Sequence, residues 1–137
     1  MARLSTAKDI VDLLLDVDSI STTIVASNEP ESPDTVVTIY NTSSSDAPNP
    51  KYLLDKPSIQ IRSRSKSYAT AYSNLQEIFD ALLGRGSFTS NTTVYTGIWA
   101  NTGIFDMGQD DNSRHILAVN MRLTAEPVYD SQHRSAI

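Results

Sequence analysis

The sequence contains no cysteine, which removes disulfides, thiolate metal sites, iron–sulfur clusters and cysteine nucleophiles. It has only two histidines, His115 and His133, leaving little for metal binding or for acid–base chemistry near neutral pH. No apolar run approaches the roughly 18 residues of a membrane span. The longest, Leu13-Leu14-Leu15, is broken at once by Asp16, so the chain reads as soluble, with no membrane partner. Positive charge is also scarce, with 11 Lys and Arg against 16 Asp and Glu, giving a net charge of -5 and a pI near 4.8. That is the wrong sign for a surface that grips phosphates broadly. Zinc patterns, phosphate-cradling glycine loops and Ser/His/Asp spacings are missing, so no catalytic role and no cofactor is expected.

What is present fits one modest folded domain. The 137 residues are 39% hydrophobic and 20% charged, above the range of disordered chains. Residues 5–17 read as an amphipathic helix capped by Ser5 or Thr6, with Ile10, Leu13, Leu14 and Val17 at helical spacing. Strands are expected at 22–27 and 35–41, separated by the turn-rich run Asn28-Glu-Pro-Glu-Ser-Pro33. Residues 42–57, with three prolines, form an extended polar loop. Ser58 to Arg64 alternate as a strand, with Ile59 and Ile61 on one face and Gln60, Arg62 and Arg64 on the other.

Tyr68 to Leu83 is the stronger helix, expected to bury Tyr68, Tyr72, Leu75, Phe79, Leu82 and Leu83 and to end in the left-handed region at Gly84 or Gly86. Val94–Asn101 and Arg114–Glu126 read as two paired strands joined by a connection over 101–113. In the second, Leu117, Val119, Met121 and Leu123 point inward and Ala118, Asn120 and Arg122 outward. The order of elements predicts a single α+β domain over residues 1–126, a mainly antiparallel sheet with two helices packed on one face, followed by a polar tail at 127–137.

Three groups of residues carry candidate chemistry. Asp9, Asp12 and Asp16 lie one helical turn apart and read as a solvated acidic face, with paired carboxylates or an acidic channel lining as the functional alternatives. Asp106, Asp110, Asp111 and Asn112 lack the alternating ligands and the closing Glu of a calcium loop, so they read as a turn and no metal is expected. Arg62-Ser-Arg64-Ser-Lys66 places three cations along an extended segment, suited to phosphate contact or, better matched to the acidic balance, to a subunit contact.

Taken together, Pro57-Ser-Ile-Gln-Ile-Arg-Ser-Arg64, Tyr95-Thr-Gly-Ile-Trp-Ala100 and Met107-Gly-Gln-Asp-Asp-Asn-Ser-Arg114, the last leading into Ala118-Val-Asn-Met-Arg-Leu123, resemble the tail terminators of long-tailed bacteriophages across residues 5–126. Ser113 stands where that family often has Gly. The resemblance implies a non-enzymatic virion protein, made in the bacterial host cytoplasm, that forms a ring, usually a hexamer, at the head–tail junction. Such a ring caps the tail tube, stops its elongation and meets the head–tail connector protein, while genomic DNA passes through without specific binding.

Ring contacts are heterologous, so each subunit offers two complementary patches. The expected contact loops are 42–56 and 101–113, with Arg62, Arg64, Lys66, Arg114, Asp110 and Asp111 among the opposed charges, and Asp9, Asp12 and Asp16 facing the lumen or a partner. On that reading, charge reversal at Arg64 impairs assembly and leaves the monomer folded. The alternatives are another neck or head-completion component, a small non-viral α+β binding module, and last a metal-dependent hydrolase using Asp110 and Asp111.

Overall fold

The computed structural model describes residues 5–17, 20, 22–42, 56–91 and 93–126. The loop expected over 42–57 falls mostly outside these residues, as do the tail at 127–137 and His133. Helix α1 (Thr6–Leu15) begins at Ser5, whose hydroxyl accepts the Lys8 N–H at 3.2 Å, and the Asn41 side chain accepts the Ala7 N–H at 2.9 Å. Both contacts satisfy donors that a helix start leaves unpaired. Helix α2 (Tyr68–Leu83) starts at Ser67, which caps Thr70 in the same way.

The strands are β1 (Ile24–Ala26), β2 (Val36–Thr42), β3 (Ser58–Ser65), β4 (Phe88–Ser90), β5 (Thr93–Ala100), β6 (Phe105–Gln109) and β7 (His115–Ala125). They form a curled seven-stranded sheet ordered β1-β2-β3-β7-β5-β4, with β6 pairing β7 beside the end of β5. Only β1 and β2 run parallel, which makes the domain α+β with a mainly antiparallel sheet. The short strands β4 and β6 have no counterpart in the sequence reading. Phe-Asp-Met-Gly-Gln offers no β-branched residue, and Gly108 takes φ +88° where the β6–β7 register shifts.

One face of the sheet carries both helices. Ile39, Ile59, Ile61, Val119, Met121 and Leu123 meet Ile10 and Leu14 of α1 and Leu75, Ile78 and Leu82 of α2, all buried. On α2 the buried stripe is Ala71, Leu75, Ile78 and Leu82, while Tyr68, Tyr72 and Leu83 are 46%, 43% and 42% exposed and Phe79 is half-buried. The expected stripe is therefore rotated by roughly 60° at about 100° per residue. Small Ala71 permits this rotation by bringing the helix onto β3, where the buried Ser63 hydroxyl donates to the Ala71 carbonyl at 2.8 Å. Gly84 closes α2 in the right-handed region, and Gly86 supplies the left-handed turn at φ +69°.

The opposite face has no helix over it, but it is not uniformly exposed. Ala118, expected to point outward to solvent, is buried there because the longer side chains of Arg62 and Phe105 flank it on neighbouring strands. Val36 and Thr38 are buried on this face as well.

Asp9 is the largest departure from the expected solvated acidic face, because it is fully buried. Its carboxylate accepts from the Tyr95 hydroxyl and, at 3.1 Å, from Asn91 Nδ2, and its carbonyl accepts from Ser90 at 2.7 Å. Asn91 also bonds Asp12 at 2.7 Å, so the turn between β4 and β5 is bolted to α1. A buried carboxylate requires such donors, and Asn91 and Tyr95, like the Ser90 that serves the carbonyl, lie more than 80 positions along the chain. We predict that Tyr95→Phe lowers stability by about 1–3 kcal/mol, the cost of leaving a buried acceptor short of a donor. Urea denaturation checks this as a lower midpoint with an unchanged slope.

Candidate assembly surface

The expected contact residues divide between the subunit interior and its surface. Arg64 and Arg114 are only 2% and 4% exposed. Arg64 donates to the carbonyl of Pro33 at 2.7 Å, of Asp34 at 3.2 Å and of Glu31 at 3.5 Å, and its guanidinium lies 3.5 Å from Glu29. Arg114 donates to the Glu31 carbonyl at 2.7 Å and to Asp110 at 2.8 Å, with Asp34 at 3.5 Å and Glu31 Oε2 at 3.7 Å. Together the two arginines clamp residues 29–34 onto the helix-free face of the sheet. Lys66 adds an exposed pair with Asp34 at 3.6 Å.

Charge reversal at Arg64 would therefore place a carboxylate among backbone carbonyls, contrary to the expectation of a folded variant. Glu29 and Glu31 were legible only as part of a turn-rich break, and Asp34 was not singled out at all. The signal for their role is the alternation of acids with prolines over 29–34.

Asp110 anchors the tight turn before β7. Its carboxylate accepts the main-chain N–H groups of Asn112 and Arg114, both at 3.0 Å, and the Arg114 side chain. These contacts hold Ser113 at φ +60°, so a non-glycine residue occupies the left-handed position. The Arg114 main-chain N–H, outweighing desolvation and joined by the guanidinium, holds the Asp110 carboxyl below the ordinary carboxylate range. Asp111, beside it, is exposed.

On the acidic helix face, Asp9 is internal and Asp12 pairs with Lys8 at 2.9 Å. The Lys8 contact, followed by that from Asn91, holds the Asp12 carboxyl low. Asp16 is exposed. The structure thus does not present the three carboxylates as one surface. Among the described residues no cluster of His, Asp and Glu is arranged to hold a metal, and no helix is long and apolar enough to cross a membrane.

The open face beyond the clamp is polar and aromatic. The Arg62 guanidinium lies 5.5 Å from the Tyr40 ring centroid, with its buried Nε unpartnered, and Gln60 bonds Asn120 at 3.1 Å. At the strand ends farthest from the clamp, Trp99 stands opposite Arg122, which stands opposite Ser58. Trp99 is 47% exposed, and neither it nor Arg122 was singled out as a site residue from the sequence. The usable signal was one tryptophan two residues after a glycine in Gly97-Ile-Trp99.

Two substitutions test the clamp. Asp110 has its acidity strengthened by folding, so its contribution is present above the unfolded carboxylate value of about 4 and is lost as pH falls through the lower folded value. Asp110→Asn is expected to be less stable than wild type at pH 7 and to converge with it in strong acid, measured as urea midpoints between pH 2 and 7. Arg64→Glu is expected to lower the thermal midpoint of the isolated chain, read by circular dichroism.

Comparison with solved structures places this fold beside a chain of the virion of a native gene transfer agent particle, with a TM-score of 0.73 at 15% identity, covering 90% of this chain and 96% of that one. A second solved chain aligns with a TM-score of 0.51 at 12% identity, covering 90% and 99% respectively. No curated protein matches the sequence. The sequence does match the family described as bacteriophage tail terminator protein over residues 8–127, which takes in most of α1, all of α2, the clamp and the whole sheet. The chain belongs to the bacteriophage tail terminator family.

Proposed function

We propose that this chain is a structural, non-catalytic component of a virion that caps the tail tube at the head–tail junction as a homo-oligomeric ring, with six subunits as the expected number. The observation that carries the reading is the family match over residues 8–127. The fold shared with a gene transfer agent virion chain supports it. In this reading the ring ends tube elongation, touches the tail tube protein on one side and the head–tail connector on the other, and lets DNA pass without specific binding. The domain of residues 1–126 supplies the ring body, and 127–137 is an appended polar tail.

The architecture suits the task. Helices close one face of the sheet and leave the other open, so a subunit presents chemically different sides, as a heterologous ring contact requires. Of the residues expected at contacts, Arg62, Lys66 and Asp111 remain at or near the surface, and Asp16 remains available to an acidic lumen. Arg64, Arg114 and Asp110 act one step back, by fixing the loops that reach the neighbour.

Immunogold electron microscopy of the particle tests the reading. The expected result is label confined to the head–tail junction and retained on tails detached from heads. Label that stays with the heads identifies another neck component instead, and absence of label on particles whose epitope is accessible overturns the virion role.

A further inference from the structure

The open face ends in a patch whose chemistry has its complement at the other end of the same subunit. The Trp99 indole lies over Gly97, where a Cβ would come within 2.8 Å of it, so the glycine makes room for the ring along the strand. The ring is half-exposed there. Arg122 faces it directly in register, is exposed, and has no ion pair among the described residues. The rung Thr42–Ser58–Arg122–Trp99 carries no carboxylate. Tryptophan and arginine together are the side chains that most often dominate a protein contact.

The complement is the clamped segment and the adjoining turn. Six rungs separate the Ser58–Arg122 pair from the Arg64–Ile116 pair, roughly 20 Å at about 3.3 Å per residue. There the Arg64 and Arg114 guanidiniums are buried behind the loop, and the surface carries three carboxylates, one of which, Asp34, is paired with the exposed Lys66. Glu31 is 91% exposed, and Asp34 and Asp111 are at the surface. A single subunit cannot bring these two ends together across that span.

Resting on the virion-assembly reading above, we propose that the Trp99–Arg122 patch of one copy receives the Glu31–Asp34 segment and Asp111 of a second copy, head to tail. The two patches differ, so each copy keeps one donor end and one acceptor end and the contact repeats. In a chain of net charge -5, copies repel unless a basic patch meets an acidic one, and this pairing also fixes their relative direction.

The absence of native cysteine permits a direct test in assembled particles. Particles carrying the Glu31→Cys, Arg122→Cys chain are oxidised and run on denaturing gels without reductant. A ladder extending beyond the dimer, absent from either single variant, is expected. Particles that contain the double variant and yield no cross-link, or dimers only, overturn the contact while leaving the virion role standing. Absence of the wild-type chain from purified particles overturns the virion role itself.

A charge exchange gives a second readout that does not need thiols. Glu31→Arg and Arg122→Glu are each expected to cut incorporation into particles at least tenfold, and the double exchange to restore it. Wild-type incorporation of both single variants, or no restoration in the double, overturns the proposal.

Discussion

Two buried guanidiniums hold this fold to its form. Residues 29–34 include Pro30 and Pro33, which lack N–H groups and so cannot take part fully in a strand ladder. Their carbonyls still require donors when covered. Arginine is a donor-only side chain with five N–H groups, and Arg64 and Arg114 supply what the proline-containing segment lacks. The carboxylates of Glu29 and Asp110 balance the charge that burial would otherwise make costly. The connection into β2 is thereby tied to β3 and to the start of β7, and the otherwise bare face of the sheet acquires a cover at one end only.

This one-sided cover shapes the rest of the subunit. On the helix face, apolar packing is continuous and Asp9 is enclosed with its donors. On the other face, burial fades from Arg64 and Ala118 to the exposed pair Arg122 and Trp99. The assembly role proposed above gives this gradient a meaning, because a heterologous contact needs unlike surfaces.

Local patterns were readable in the sequence wherever the cause was local. The span of α2 is legible in its apolar spacing and its end in Gly84, and β7 declares itself through Leu117, Val119, Met121 and Leu123. The Asp110 turn is likewise a matter of neighbours within four positions. What escaped depends on partners far along the chain. Asp9 looked solvated because Tyr95 and Asn91 are invisible to helical periodicity, and Arg64 looked exposed because strand alternation does not reveal a loop crossing overhead. Tyr68 and Tyr72 were assigned inward on hydrophobicity, yet their rings stack 6.5 Å apart on the surface, with Tyr68 edge-on to His115. An aromatic ring with a polar tip satisfies either side of a helix, so spacing alone does not decide its direction.

The pairing of β3 with β7 at the centre of the sheet also dictates the order of events during synthesis. Gln60 meets Asn120 across 60 positions, and Ile59 and Ile61 find their β7 neighbours only when nearly the whole domain has been made. Until then the edge of β3 that β7 will pair is open, a long-range closure of the kind that folds slowly. The last strand of the described sheet in chain order, β7, is the one that completes the core and also brings Arg122 into place. A truncated product lacking β7 is consequently left without the strand that joins β3 to β5 and without Arg122, so its sheet is unfinished.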